Sequence, residues 1–175
     1  MGFDIRMKQL LDKRLRGQDL TILVWGTGTS NVDDINYKKR KKIKDELAAH
    51  FPVADVRFSE ELGDTVESII PGATAEWTIQ QQELVHLFAC DLCVVLDTSK
   101  GSGEEIAHFV QTNQARKLLI LTHERFKDAE SFPAELRRNE NQVFYTEDEF
   151  KSCNLVERVK TRAIILAAEL MARAG

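Results

Sequence analysis

Apolar positions along this chain fall into five short runs separated by longer stretches that mix apolar and charged residues. Residues 20–25, Leu-Thr-Ile-Leu-Val-Trp, are almost wholly apolar and stop sharply at a glycine-containing stretch, 26–31. A run of that kind predicts a strand buried on both faces. Residues 54–58 alternate and predict a second, shorter strand. Residues 91–96 and 117–122 repeat the apolar pattern, and 142–145 give a short fifth strand.

Between these runs the spacing turns helical. Ile5, Leu10, Leu11 and Leu15 predict a leading helix over 3–17 that closes at Gly17. A second helix begins near Asp33-Asp34 and runs to His50, where Pro52 ends it. Residues 74–88 carry Trp77, Ile79, Leu84, Leu87 and Phe88 on one side, and further helices are expected over 103–113, 126–138 and 147–173. The segment 62–73 has no period and contains Gly63, Pro71 and Gly72, the profile of a lid or substrate loop.

Strands that alternate with helices and are apolar on both faces imply an α/β domain built on a parallel sheet covered on both sides. Five of them predict a doubly wound, flavodoxin-like (Rossmann-like) order, 2-1-3-4-5. Ligands then bind where the carboxyl ends of strands 1 and 3 diverge, and the two Gly/Ser-rich loops, 26–31 and 99–103, follow those two strands. The expected organisation is a single domain over 1–175, with a leading helix to 19, a core over 20–158 and a terminal helix over 159–175.

Composition narrows the partners. With 175 residues, 43% of them hydrophobic, the chain suits one domain with a full core. A net charge of -4 argues against a nucleic-acid-binding surface. The basic run Lys38-Lys-Arg-Lys-Lys-Ile-Lys44 reads as a solvated helix face. No stretch is apolar and long enough for a membrane span or a secretory signal, so a cytoplasmic protein is expected. Of three cysteines, Cys90 and Cys93 have CxxC spacing. Strand alternation is expected to turn their side chains to opposite faces, and no second Cys/His pair accompanies them, so buried reduced thiols are expected. His50, His86, His108 and His123 share no ligand spacing, and no metal is assigned.

Candidate chemistry concentrates after the third strand, in Asp97-Thr-Ser-Lys-Gly-Ser-Gly-Glu-Glu105. Ser99, Gly101, Ser102 and Gly103 supply hydroxyls and open backbone N–H groups, and the following helix turns its positive end to the same place. Ser102-Gly-Glu-Glu105 is equally a capping box, in which Glu105 would reach back to the N–H of Ser102. Gly26, Thr27, Gly28 and Thr29 lack the third glycine of a dinucleotide fingerprint but can still contact phosphate or ribose. Glu83 lies on the helix before the third strand, where most such residues are solvated charges. Delivered to the mouth shared with Glu105, it would complete the carboxylate pair that glycosidic cleavage needs.

On these residues the chain resembles the nucleoside 2-deoxyribosyltransferase superfamily, closest to the 2'-deoxynucleoside 5'-monophosphate N-glycosidases. The resemblance rests on a strand ending in Gly26-Thr27, a charged helix with Tyr37, and a second strand running into Ser59-Glu60. Glu83 ahead of Ala89-Cys-Asp91, and Ser-x-Gly-x-Gly-x-Glu as residues 99–105, complete it. It implies Glu105 as nucleophile or stabiliser at C1', and Glu83 at the position of an acid acting near the leaving base. It further implies Ser99 at the phosphate-binding hydroxyl, with Gly101 and Gly103 as loop glycines. It implies a nucleoside or nucleotide substrate, no metal or organic cofactor, and a homodimer or larger homo-oligomer. The chain departs from the pattern at Leu23, at Glu61 and in the absence of a basic side chain over 26–31, which leaves the need for a 5'-phosphate open.

Parts of the pattern are also similar to lysine-decarboxylase-like phosphoribohydrolases and to TIR-type NAD-cleaving domains. A nucleotide-binding sensor or regulatory domain without turnover is the alternative from a different class.

Overall fold

The computed structural model describes residues 9, 13, 16, 17, 19–26, 31–62, 67, 71, 77–97, 106, 109, 112–126, 141–151 and 154–174. Its centre is a five-stranded sheet in the order β2-β1-β3-β4-β5, every pairing parallel. The strands are β1 (Thr21–Trp25), β2 (Asp55–Phe58), β3 (Leu92–Asp97), β4 (Leu118–His123) and β5 (Gln142–Tyr145). The helices are α1 (Ile35–His50), α2 (Ile79–Ala89), α3 (Glu147–Lys151) and α4 (Asn154–Ala174), with 3-10 turns at Ser59–Leu62 and Asn113–Lys117. This is the α/β order that the apolar runs predict.

The period-2 geometry of each strand sorts its side chains into two cores. Ile22, Val24, Leu92, Val94, Leu96, Leu119 and Leu121 pack on one face with Ile43 and Leu47 of α1 and Val159, Ala163 and Ile164 of α4. Leu23, Trp25, Cys93, Val95, Leu118 and Ile120 pack on the other with Leu87 of α2, Leu62, Ile106 and Phe109. The central strands are apolar except toward their ends, at Thr21, Asp97, Thr122 and His123, because neither face of their middle meets water.

Local chemistry fixes where the helices begin. Asp34 caps α1, its Oδ1 accepting from the N–H groups of Asn36 at 2.6 Å and Tyr37 at 3.3 Å. The expected helix over 74–88 starts later, at Ile79. Thr78 and Gln81 form a capping box there, and Trp77 precedes it in non-helical backbone. The expected helix over 147–173 is two helices, α3 and α4, and α3 is opened by a reciprocal pair in which Thr146 and Glu149 each accept from the other's N–H at 3.0 Å. Lys117 ends a 3-10 turn instead of opening β4, and its ammonium donates to the carbonyls of Leu87, Phe88 and Cys90 at the end of α2. Those carbonyls have no partner within the helix, so the cation satisfies them. Among the described residues, no helix is long and apolar enough to cross a membrane.

Two further expectations are corrected. The basic run on α1 is not a uniformly solvated face. Arg40 is wholly buried and Lys39 nearly so, and Lys39 and Lys44 pair with Glu147 and Glu61 at 2.8 and 2.7 Å. Cys90 and Cys93 do not point to opposite faces, because Cys90 caps the end of α2 instead of lying in β3, and both pack in the same core. Both are free and buried, and burial pushes the Cys90 thiol up to about 12 and the Cys93 thiol well above the ordinary thiol range.

Candidate functional site

In a doubly wound sheet the binding crevice opens at the carboxyl ends of the strands where the order reverses, which in this chain lies between β1 and β3. Trp25 pairs in register with Val95 there, so Gly26 and Asp97 stand at the rim. Gly26 has φ +154°, and a Cβ at this position would meet Arg40 Cδ and Leu96 Cβ at 3.3 Å and the Leu96 carbonyl oxygen at 3.4 Å. The backbone angle favours glycine here, and a Cβ would fit only if Arg40 and Leu96 gave way by a few tenths of an ångström.

Arg40 reaches this rim from α1. Its Nε and Nη2 donate to the carbonyl of Val24 at 3.0 and 2.7 Å, while Nη1 and Nη2 donate to Oε1 and Oε2 of Glu60 at 2.7 and 2.6 Å. The guanidinium also lies 4.4 Å from the centre of the Phe58 ring. Burial of Glu60 works against its charge, but the hydrogen bonds and charge of Arg40 outweigh it and hold the carboxyl below its ordinary range. One residue so ties the ends of β1 and β2 to the Ser59–Leu62 turn. Its guanidinium is committed to protein groups, so it is not the phosphate cation missing from 26–31.

Helix α2 packs on the opposite face of the sheet from α1. Glu83, His86, Leu87 and Cys90 follow at positions i, i+3, i+4 and i+7, which places them on one face. Leu87 and Cys90 of that face are in the core beneath the sheet. Glu83 is half-buried and its Oε2 is fully buried, so this carboxylate is not a solvated surface charge. It lies close enough to Cys93 for its charge to raise that thiol further. His86 is 7% exposed, and neither ring nitrogen has a hydrogen-bond partner. Burial lowers its pKa against a smaller upward pull from the Glu60 charge, which keeps the imidazole neutral at pH 7. The indole Nε1 of Trp25 is likewise buried and unpaired, with its ring 5.3 Å from that of Phe109.

Of the residues expected to form the site, Gly26 and the backbone of Asp97 are at the rim, and Glu83 is on the core-facing side of α2. Thr27, Gly28, Thr29, Ser99, Gly101, Ser102, Gly103 and Glu105 lie outside the described residues. Ile106, directly after Glu105, and Phe109 are helical and fully buried in the core shared with Trp25. Arg40 and His86 are additions that sequence reasoning missed. For His86 the signal was its i+3 spacing from Glu83 on the face of Leu87; for Arg40, a basic residue three before the core position Ile43.

Among the described residues, no group of three or more His, Cys, Asp or Glu is arranged to hold a metal ion. The chain matches no protein-family model and no curated protein.

Proposed function

We propose that this protein cleaves, or transfers at, the N-glycosidic bond of a nucleoside or nucleotide. The observation that supports this reading is Glu83, a half-buried carboxylate with one fully buried oxygen on the core-facing side of α2. A carboxylate withdrawn from water there is suited to proton management beside a leaving base. Glu105 attacks or stabilises C1', and Glu83 handles the proton on the departing base. Gly26, Thr27, Gly28, Thr29 and Asp97 orient the sugar. Ser99, Gly101, Ser102 and Gly103 hold a phosphate or a sugar hydroxyl. In the hydrolytic form water supplies the oxygen that replaces the base at C1', and its proton leaves on the base nitrogen.

On this reading the protein works in the cytoplasm as a homodimer or larger homo-oligomer, without metal or organic cofactor. Light scattering on the purified chain reads its assembly, and a monomer would remove that part.

The activity is tested by incubating the protein with nucleosides, 5'-nucleotides and NAD and measuring free base by chromatography. Release by wild type that is lost in Glu105→Gln supports the proposal. Saturable nucleotide binding, seen as a melting temperature that rises with ligand while no base is released, replaces it with a nucleotide-binding sensor.

A further inference from the structure

His123 is the last residue of β4. Strand alternation puts it on the face of Leu119 and Leu121, the side that α1 and α4 cover. Thr122, one residue earlier, pairs in register with Asp97, so the chain leaving β4 stands on the same carboxyl edge of the sheet as the rim of the crevice. That chain passes directly into a 3-10 turn, Glu124–Phe126. The turn is held by His123 itself, because the backbone N–H of Arg125 donates to Nδ1 of the imidazole at 3.1 Å. A backbone N–H can only donate. Nδ1 is therefore bare, and the neutral ring carries its proton on Nε2.

Nε2 lies 3.9 Å from Oε2 of Glu147, at the start of α3. The same oxygen accepts from the buried ammonium of Lys39, which reaches it from α1 at 2.8 Å. This hydrogen bond outweighs the cost of burial and, with the charges of Lys39 and Lys151, holds the Glu147 carboxyl below its ordinary range. The imidazole thus faces a carboxylate that is pinned in place and stays charged. Tyr145 of β5 meets the ring edge-on at 5.3 Å, and Glu124 and Arg125 are exposed on the turn.

We infer that His123 is a pH-operated latch on the turn that leaves β4. When neutral, the ring accepts the Arg125 N–H and fixes the turn. A second proton has only Nδ1 to bind, because Nε2 already carries one. Two donors then confront each other with no acceptor between them, and the bond to Arg125 is lost. The charged ring keeps its Nε2–H toward Glu147, so the turn moves and the ring stays. Water satisfies the exposed Arg125 N–H, and the release costs little. Acid so loosens the carboxyl edge beside β3 while the sheet beneath it is unchanged. The latch is independent of the reaction that the crevice carries out.

The test is proton–nitrogen NMR of the labelled protein from about pH 8 to about pH 5, the span over which imidazoles change charge. The ring nitrogens of His123 and the amide of Arg125 are followed together, with solvent exchange of that amide corrected for its intrinsic dependence on pH. At the upper end Nδ1 should give the signal of an unprotonated nitrogen. As the ring takes up its proton, the Arg125 amide should shift with the same midpoint, and its protection from exchange should fall about tenfold, the scale of one neutral hydrogen bond. His123→Asn offers a side-chain carbonyl at the same two-residue spacing and carries no charge, so protection of Arg125 should hold across the whole range. Should that variant not fold, the wild-type titration decides alone. An Arg125 amide indifferent to the His123 titration, a proton on Nδ1 of the neutral ring, or a pH response that survives in His123→Asn would each overturn the inference.

Discussion

The guanidinium of Arg40 holds both carboxylate oxygens of Glu60 from a fully buried position and also donates to the carbonyl of Val24 and the hydroxyl of Ser59. A buried charge left without its partner destabilises more than the pair itself contributes. Glu60→Gln should therefore lower stability by about 2 kcal/mol in urea denaturation, the buried-pair scale reduced because Glu60 is 40% exposed. Arg40→Lys should lose a similar amount, since an ammonium cannot span two carboxylate oxygens and a carbonyl together. The sign with pH follows from the depressed carboxyl of Glu60. Its contribution is complete above the ordinary carboxylate value of 4.5 and is lost as pH falls through the lower folded value. The gap between wild type and Glu60→Gln should close in acid, and a gap that widened there would contradict this account.

His86 gives the opposite kind of pH dependence. Its folded pKa lies below 6.5 because burial disfavours the imidazolium, with Glu60 pulling weakly the other way. The unfolded chain then binds the proton first, so stability falls as pH drops from about 6.5 toward the folded value. His86→Gln should flatten that part of the stability profile, measured as urea midpoints between neutral and mildly acidic pH. An unchanged slope would show that the imidazole is already charged or solvated in the native state.

These two residues mark where sequence patterning stops being informative. Strand order and the two-faced core were legible because Ile22/Val24 and Leu23/Trp25 alternate in a run with no polar break, and a run like that cannot sit at a surface. Gly26 was legible as a loop glycine, although its backbone angle and its close approach to Arg40 and Leu96, neither adjacent in sequence, were not. Arg40 was hidden within five basic neighbours, because a charge run looks the same whether one member turns inward to a carboxylate 20 residues away or none does. The apolar spacing that includes Trp77 puts the helix start at 74, whereas the Thr78–Gln81 capping box begins it at Ile79. Glu83 was placed on the right element, but its depth depends on how α2 lies on the sheet, which spacing alone does not encode.

Lys117 caps α2 in place of a glycine. Its ammonium reaches three carbonyls, the shortest bond 2.7 Å to Cys90. Lys117→Met keeps the aliphatic stem and removes the charge, and should cost about 1 to 2 kcal/mol in urea denaturation. Wild-type stability in that variant would mean that water satisfies the helix end equally well.

Cys90 and Cys93 should be inert thiols in the native protein. With Cys90 pushed up to about 12 and burial holding Cys93 well above the ordinary thiol range, almost no thiolate exists at pH 8. In a Cys153→Ser background, a disulfide-exchange reagent should modify neither cysteine until denaturant is added, and both afterwards. Rapid native reaction would reveal a CxxC pair with redox chemistry.

In the proposed reaction Glu83 handles the proton on the departing base. The most direct measurement of this role is the rate of free-base release from nucleosides, 5'-nucleotides and NAD by wild type and by Glu83→Gln, compared in the same assay. Wild type should release base from at least one of them, with a fall of about 100-fold or more in Glu83→Gln, the scale of a lost proton-handling group. Equal rates in the two proteins, or no base released by wild type from any substrate, would contradict it.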